Sequence, residues 1–310
     1  MDGQKEPLYF GIMETQNFNT PILFLIFNRE DTAQKVFDAI RRQKPKYLFV
    51  AADGARKHKQ GEAEKCQQVR NIIKQVDWDC ELKTLFREEN LGCKIAVSSA
   101  ITWFFDNVEQ GIILEDDCLP DPSFFPYCEE LLDKYKNDTR IGHISGNNFL
   151  SGIIEEGLSY DYCSCSHIWG WATWRRVWKN YDVNLRFWEE QKNKRSFLFR
   201  NKREEIYFSS FIPDVLNNRN GINTWDTQYW FALRLQSQLS VYPVVNLVTN
   251  IGLGNLDATH TSGKKTAPSA TAMSFPLKHP EYVMRNKKLD NKTDFFSLKR
   301  IVRYFLNNQL

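Results

Sequence analysis

No run of about 20 apolar residues occurs in this 310-residue chain, so no segment reads as a membrane-spanning helix. The opening residues 1–19 are polar with only short apolar runs, unlike a secretory leader. The seven cysteines are odd in number, scattered and never spaced CxxC, which argues against a zinc site or a disulfide framework. They read as ordinary thiols of a reducing compartment, and the expectation is a cytoplasmic protein. A large excess of either charge is also lacking. Lys+Arg number 41 and Asp+Glu 38, a net +3, which argues against a dedicated nucleic-acid binder. That balance is uneven along the chain. Residues 278–303 carry eight basic and three acidic residues, a local +5, whereas the remainder sums to −2. No internal repeat is present.

What the chain does have is core-forming material, 42% hydrophobic and 14% aromatic, in one large domain or two small ones. The first half alternates. Ile22 to Phe27 is an apolar run suited to a strand buried on both faces, followed by a helical pattern over Thr32 to Arg41. Strand patterns recur at Tyr47 to Ala52, Leu82 to Phe86, Gly111 to Leu114 and Ile141 to Ser145. Helical patterns fill the gaps at Glu62 to Val76, Cys93 to Val108 and Phe124 to Tyr135. This order predicts an α/β fold, a Rossmann-like, mostly parallel sheet flanked by helices. Ligands of such sheets gather beyond the carboxyl ends of the strands. The residues there are Asn28-Arg29, Asp53-Gly54, Glu115-Asp116-Asp117 and Gly146-Asn147-Asn148, all polar or glycine.

After about residue 150 the alternation stops. A tryptophan-rich stretch, HIWGWATWRRVW at 167–178, precedes basic helical segments over 186–218. A helix pattern at Asp226 to Leu235, a strand-like VYPVVNLV at 241–248 and the loop NIGLGNLDATHTSG follow. The chain ends in FFSLKRIVRYFL, where Phe295, Leu298, Ile301, Val302 and Phe305 share one helical face.

The most informative segment is ILEDDCLPDPSFF at 113–125. Three carboxylates ending a buried strand repel one another, and a hard divalent cation such as Mn²⁺ or Mg²⁺ relieves that conflict. A solvated acidic turn before Pro120 is the competing interpretation.

LEDDCLPDPSFFPYCEELL resembles the EDD motif of N-acetylglucosaminyltransferase I and its bacterial relatives, inverting metal-dependent glycosyltransferases of the GT-A fold. The resemblance spans roughly residues 20 to 262, through NRE, AADG, SGNN, GWATW, WDTQYW and the loop ending in ATHT. It implies a nucleotide-sugar half over 20–150, an acceptor half over 151–263, and a linker with a basic C-terminal helix over 264–310. Glu115 would contact the donor sugar, Asp116 the ribose, and Asp117 the metal, with Asp116 beside it. Arg29 would approach the diphosphate of a UDP-sugar, most plausibly UDP-N-acetylglucosamine, and Asp53 the uracil. Lys94 would help bind nucleotide, unless it is simply a solvated lysine. Asn147 would face sugar or acceptor, unless it is a turn residue.

An inverting transfer needs one base for the acceptor hydroxyl. Trp225-Asp226-Thr227 resembles the family's WDD segment and makes Asp226 that base; taken alone, Asp226 reads as a helix cap. His260, in the glycine-containing loop, would reach the diphosphate or metal, although its neighbours THTSG depart from the family's pattern. If helical, Trp171, Trp174 and Trp178 share a face typical of core, with Trp169 and Trp171 the candidates for ligand contact.

The resulting expectation is transfer of a sugar to a glycan or lipid-linked glycan. Two alternatives stand beside it: a sugar nucleotidylyltransferase, and a non-catalytic polysaccharide-binding protein on the same fold. The first usually carries a glycine-rich basic loop after its first strand, where NREDTAQ stands here. The basic tail suits either contact with the inner membrane face or packing against the domain.

Overall fold

The computed structural model describes residues 18–150, 152–190, 196–253 and 267–292. His260 and the helical pattern over 295–305 lie outside them.

The first strand, β1 (Ile22–Ile26), is buried along its whole length. Helix α1 (Glu30–Gln43) returns over the sheet on the face formed by Ala33, Val36, Phe37 and Ile40. Glu30 and Asp31 in its first turn and Arg41 and Arg42 in its last complement the helix dipole. The same unit repeats. Strand β2 (Tyr47–Ala52) leads to α2 (Glu62–Asn71), and β3 (Glu81–Phe86) to α3 (Gly92–Asn107). Strand β4 (Gln110–Glu115) and the short β5 (Cys118–Pro120) lead to α4 (Phe124–Lys134) and β6 (Ile141–Ser145). The second half contributes β7 (Tyr160–Cys163), β8 (Trp171–Trp174), α5 (Arg175–Trp178), α6 (Arg186–Glu190) and α7 (Lys202–Leu216). Helix α8 (Asp226–Leu235), β9 (Leu239–Pro243), β10 (Val248–Asn250) and α9 (Lys287–Lys292) follow.

Eight strands form one sheet in the order β3-β2-β1-β4-β8-β6-β9-β7. The expected α/β class and parallel bias hold: β3-β2, β2-β1, β1-β4 and β6-β9 are parallel pairs. The departures are β8, which runs antiparallel between β4 and β6, and the edge strand β7, antiparallel to β9. One apolar core runs through the sheet from Phe24 and Phe49 to Trp171 and Val241, across residue 150.

The tryptophan stretch is not one helix. Trp171 and Trp174 belong to the strand β8, and only Arg175–Trp178 is helical. A strand at this position fills the gap between β4 and β6, and its two tryptophans are buried there. Helices α6, α7 and α8 enclose a second apolar cluster that includes Trp188, Phe208, Ile212 and Phe231. Beside it the buried Glu204 pairs with Arg200 at 3.0 Å and Arg234 at 3.2 Å. Asp290 of α9 joins this group, accepting from Ser164 N at 2.8 Å and pairing with Arg285 at 3.2 Å. No helix among the described residues is long and apolar enough to cross a membrane.

Two close backbone approaches shape the sheet's ligand edge. Gly54, after β2, sits against the β3–α3 loop, where a Cβ would meet the Glu89 carbonyl carbon at 2.3 Å. The antiparallel pair β5–β10 carries the chain after Asn250 back to the end of β4. Gly252 thereby lies so near Asp117 that a Cβ would stand 2.4 Å from Oδ2. A side chain at either position would force these segments apart.

Candidate active site

The carboxyl ends of β1, β2 and β4, the start of α3 and the residues leading into α8 surround a cavity of about 510 Å³. Strand β4 delivers Glu115, Asp116 and Asp117 to it, β1 delivers Arg29, β2 delivers Asp53, and α8 begins with Asp226. Six of the residues singled out from sequence thus share one pocket, and Trp169 lines it as well.

Arg29 bridges the acidic pair, with Nη2 at 2.5 Å from Asp116 Oδ1 and 2.9 Å from Asp117 Oδ2. Burial opposes its charge, yet the two aspartates hold its pKa above the ordinary arginine value. Asp116 is 4% exposed, and its second oxygen accepts from Phe27 N at 3.2 Å. Both of its oxygens therefore have protein partners. Asp117 is less enclosed; Cys118 Sγ donates to its Oδ1 at 3.4 Å. Burial pushes the Glu115 carboxyl upward, reinforced by Asp117, Asp116 and Asp226 and opposed by Arg29. Its Oε1 is buried without a hydrogen-bond partner. The same burial raises Asp116, against the pull of Arg29.

One guanidinium against four carboxylates leaves this end of the cavity electron-rich. Cys93, on the first turn of α3, registers the field: burial, then Glu115, Asp226 and Asp53, push its thiol up to about 12. The oxygen donors suit a hard divalent cation, and the orphaned Glu115 Oε1 and the tight Gly252–Asp117 approach are consistent with one. Among the described residues, no three His, Cys, Asp or Glu side chains converge as a ready-made cage. A cation here would need further ligands from water or from a bound ligand.

Asp53 has its carboxylate on the start of α3. Oδ2 accepts from Asn90 Nδ2 at 2.9 Å and Gly92 N at 3.0 Å, and Leu91 N reaches Oδ1 at 3.0 Å. Oδ1 keeps a free lone pair beside the cavity. Asp226 accepts from Thr227 N at 2.7 Å and from Thr224 Oγ1, both on Oδ1. Its Oδ2 accepts no hydrogen bond among the described residues. The N-cap of α8 is Trp225, without a side-chain cap hydrogen bond, so Asp226 is the helix's first residue and not its cap; its side chain lines the cavity.

Three sequence expectations are corrected. Lys94 turns away from the cavity, donating to the Val215 carbonyl at 3.0 Å and Asn218 Oδ1 at 2.7 Å. It fastens α3 to the end of α7. Asn147 is fully buried; its amide donates to the Val248 carbonyl at 3.4 Å and accepts from Trp169 N at 3.1 Å. The interposed β8 separates the end of β6 from the shared cleft, and Asn147 spends its side chain on holding loops. Trp171 is fully buried, stacked on Trp225 at 5.7 Å and on His143 at 5.4 Å. It supports the wall that Trp169 and Trp225 present. His260 lies outside the described residues.

Sequence reading missed several lining residues. Arg56 is held by the buried Glu62 and lies over the Phe27 ring at 5.5 Å. Arg87, Asn90, Asn223, Thr224 and Asn250 also face the cavity. The strand-end rule that found Asp53 would have found Arg87, which directly follows β3.

No protein-family model matches this chain, and no curated protein matches it. Solved structures resemble it distantly. HddC from Yersinia pseudotuberculosis is 10% identical over 52% of this chain and 80% of its own, with a TM-score of 0.33. S. aureus TarS 1-349 is 11% identical over 53% of this chain and 51% of its own, with a TM-score of 0.34. UDP-glucose pyrophosphorylase complexed with UDP-glucose is 10% identical over 75% of this chain and 94% of its own, with a TM-score of 0.36. Superpositions this loose carry no functional argument; the chemistry of the cavity has to supply it.

Proposed function

We propose that the chain is an inverting, metal-dependent glycosyltransferase that moves a sugar from a UDP-sugar to a hydroxyl of a glycan or lipid-linked glycan. N-acetylglucosamine is the sugar that the EDD resemblance favours. The observation that carries this reading is the meeting of Glu115, Asp116, Asp117, Arg29 and Asp226 around one cavity of about 510 Å³.

Asp117 would hold Mn²⁺ or Mg²⁺, with Asp116 beside it. The cation's contribution, when bound, is to offset charge gathering on the departing diphosphate. Arg29, already at this point, would turn part of its guanidinium to the phosphates. Glu115, with its unpartnered Oε1, would accept from a hydroxyl of the donor sugar. Asp226 would take the proton of the acceptor hydroxyl as that oxygen bonds to the anomeric carbon. The bond from that carbon to the diphosphate breaks, and its electron pair leaves with UDP. No protein acid is needed for such a leaving group. Trp169 and Trp225 give the sugar an apolar wall and exclude water. In this reading residues 20–150 serve the donor and 151–263 the acceptor, and His260, outside the described residues, would contact the diphosphate or metal.

The strap before α9 supports contact with an anionic membrane face. Tyr282 and Met284 are 63% and 66% exposed, beside exposed Lys278, Arg285, Lys287 and Lys288. Replacing Lys287 and Lys288 by glutamate should then lower sedimentation with phosphatidylglycerol vesicles, and unchanged sedimentation would remove this part of the reading.

The central test is a thermal-shift panel of nucleotide sugars with and without Mn²⁺, followed by transfer assays on the best donor. Stabilisation by a UDP-sugar only with Mn²⁺ is expected. Asp117→Ala should abolish it, while Asp226→Asn should keep donor binding and lose transfer. Release of inorganic pyrophosphate from UTP and a sugar phosphate would instead identify a nucleotidylyltransferase. Donor binding with neither reaction would identify a binding protein.

A further inference from the structure

The arginines at the cavity differ in what already holds them. Arg29 is taken by Asp116 and Asp117, and Arg56 by Glu62. Arg70, behind the cavity, donates to the carbonyls of Asp53 and Arg87. Arg87 stands apart. Arg87 lines the cavity, and its guanidinium donates from Nη2 to Ser99 Oγ at 2.7 Å. No carboxylate among the described residues lies within 4.0 Å of it. Burial lowers its pKa from the usual arginine value, and Asp53 is the neighbour whose charge opposes that. A half-buried guanidinium with most of its five N–H donors unused, facing a ligand cavity, calls for acceptor atoms from the ligand.

Strand order says which part of the ligand those atoms belong to. Along the sheet the ends run β4, β1, β2, β3, bearing Asp117, Arg29, Asp53 and Arg87 in turn. Three strand spacings separate the first from the last, roughly 14 Å. A nucleoside diphosphate with its phosphates at Asp117 and Arg29 therefore extends toward Asp53 and places the far edge of its base at Arg87. Counting outward from the ribose, a pyrimidine offers position 3 and then position 4. Asp53, which can only accept, meets position 3; Arg87, which can only donate, meets position 4. Uracil presents N–H at the first and C=O at the second, so both contacts are hydrogen bonds. Cytosine presents a bare ring nitrogen to the carboxylate and an amino group to the guanidinium, and both contacts repel.

We propose that Arg87 is a specificity-determining residue that reads the 4-carbonyl of a uracil-type base beside Asp53 and rejects cytosine. This rests on the reading of the cavity as a nucleoside-diphosphate site. Ser99 fixes the guanidinium against α3, so the reader is positioned before the ligand arrives.

The test is calorimetric binding of UDP, CDP and inorganic pyrophosphate, each with Mn²⁺, to the full chain and to Arg87→Met and Arg87→Lys. Methionine keeps much of the apolar stem, and an unchanged melting temperature without ligand shows that the fold survives. Losing a hydrogen bond from a charged donor should weaken UDP binding about 10- to 100-fold in Arg87→Met. Pyrophosphate binding should be unchanged, and the UDP-to-CDP preference should collapse. Lysine, a single point donor, should restore part of that preference. Equal loss for UDP and pyrophosphate would make Arg87 a phosphate contact and overturn the proposal. Equal loss for UDP and CDP, or no loss, would overturn it too. Failure of the unaltered chain to bind any nucleotide would overturn the nucleotide-site reading itself, a separate result. If Arg87→Met proves unstable, the UDP-to-CDP ratio in Arg87→Lys decides: a ratio equal to that of the unaltered chain overturns the proposal.

Discussion

Arg29 Nη2 lies 2.9 Å from Asp117 Oδ2, so the carboxylate best placed to hold a divalent cation already has a cationic partner. In the proposed reaction, metal and arginine would compete for Asp117 until a diphosphate occupied the guanidinium. Arg29→Met should bind Mn²⁺ alone several-fold more tightly than the unaltered chain, because Asp116 and Asp117 then lose their guanidinium partner. The same variant should bind UDP more weakly. Electron paramagnetic resonance titration of free Mn²⁺ checks the first effect, and calorimetry the second. Weaker Mn²⁺ binding by Arg29→Met would mean that Arg29 orients Asp117 for the metal and does not compete with it.

Gly252 is the least tolerant position near this pair. A Cβ there would stand 2.4 Å from Asp117 Oδ2, 2.6 Å from Arg29 Nη1 and 2.8 Å from Asp117 Cβ. Two of these neighbours are side-chain ends that can move, but only by leaving each other. Gly252→Ala should lower Mn²⁺-dependent UDP binding at least tenfold and cost about 1–3 kcal/mol of stability. Calorimetry and urea unfolding measure the two separately. A variant with normal UDP affinity would show that the Arg29–Asp117 arrangement is dispensable.

Much of this edge of the molecule is legible in the sequence because each relationship there is local. An apolar run specifies a buried strand, and the polar residue after it falls at the ligand edge; Arg29, Asp53 and the carboxylates 115–117 follow from that rule. Asp226 needed a family resemblance, since its chain neighbours suggest a helix start equally well. Lys94 was misplaced because its partners, Val215 and Asn218, lie more than 120 positions away in sequence. Asn147 and Trp171 failed for one reason. Nothing in the local pattern says that β8 runs antiparallel into the gap between β4 and β6, yet that insertion buries both. Arg87 obeys the same strand-end rule, but only its lack of a carboxylate partner distinguishes it from an ordinary surface arginine.

Two histidines give the fold an acid limit. His143 and His167 are buried, and desolvation lowers them to about 3 and about 4. Hydrogen bonding of His143 Nε2 to the His167 carbonyl at 3.0 Å does not offset that burial. Their folded values lie below the unfolded value near 6.5, so between about pH 6.5 and pH 4 the unfolded chain binds more protons. Their contribution to stability is therefore full above pH 6.5 and is lost as the pH falls. Each histidine should cost about 2 kcal/mol between pH 7 and pH 5. Urea unfolding at the two pH values checks the sum, and His143→Gln should remove about half of this histidine contribution. An acid dependence unchanged in that variant would assign the effect to other groups.

Thr224 offers a test of Asp226 that leaves its charge in place. The Thr224 hydroxyl and Thr227 N both donate to Oδ1, which fixes the carboxylate and leaves Oδ2 free for an incoming proton. Thr224→Val keeps the side-chain shape and removes one donor. The carboxylate can then rotate, and the lone pair that would serve the acceptor hydroxyl in the proposed reaction is in place for a smaller fraction of encounters. Transfer should fall about tenfold in kcat, while UDP-sugar affinity measured by calorimetry stays the same. A loss confined to KM would place Thr224 in substrate binding. An unchanged kcat would mean that Oδ1 needs no fixing, and would weaken the case for Asp226 as the base.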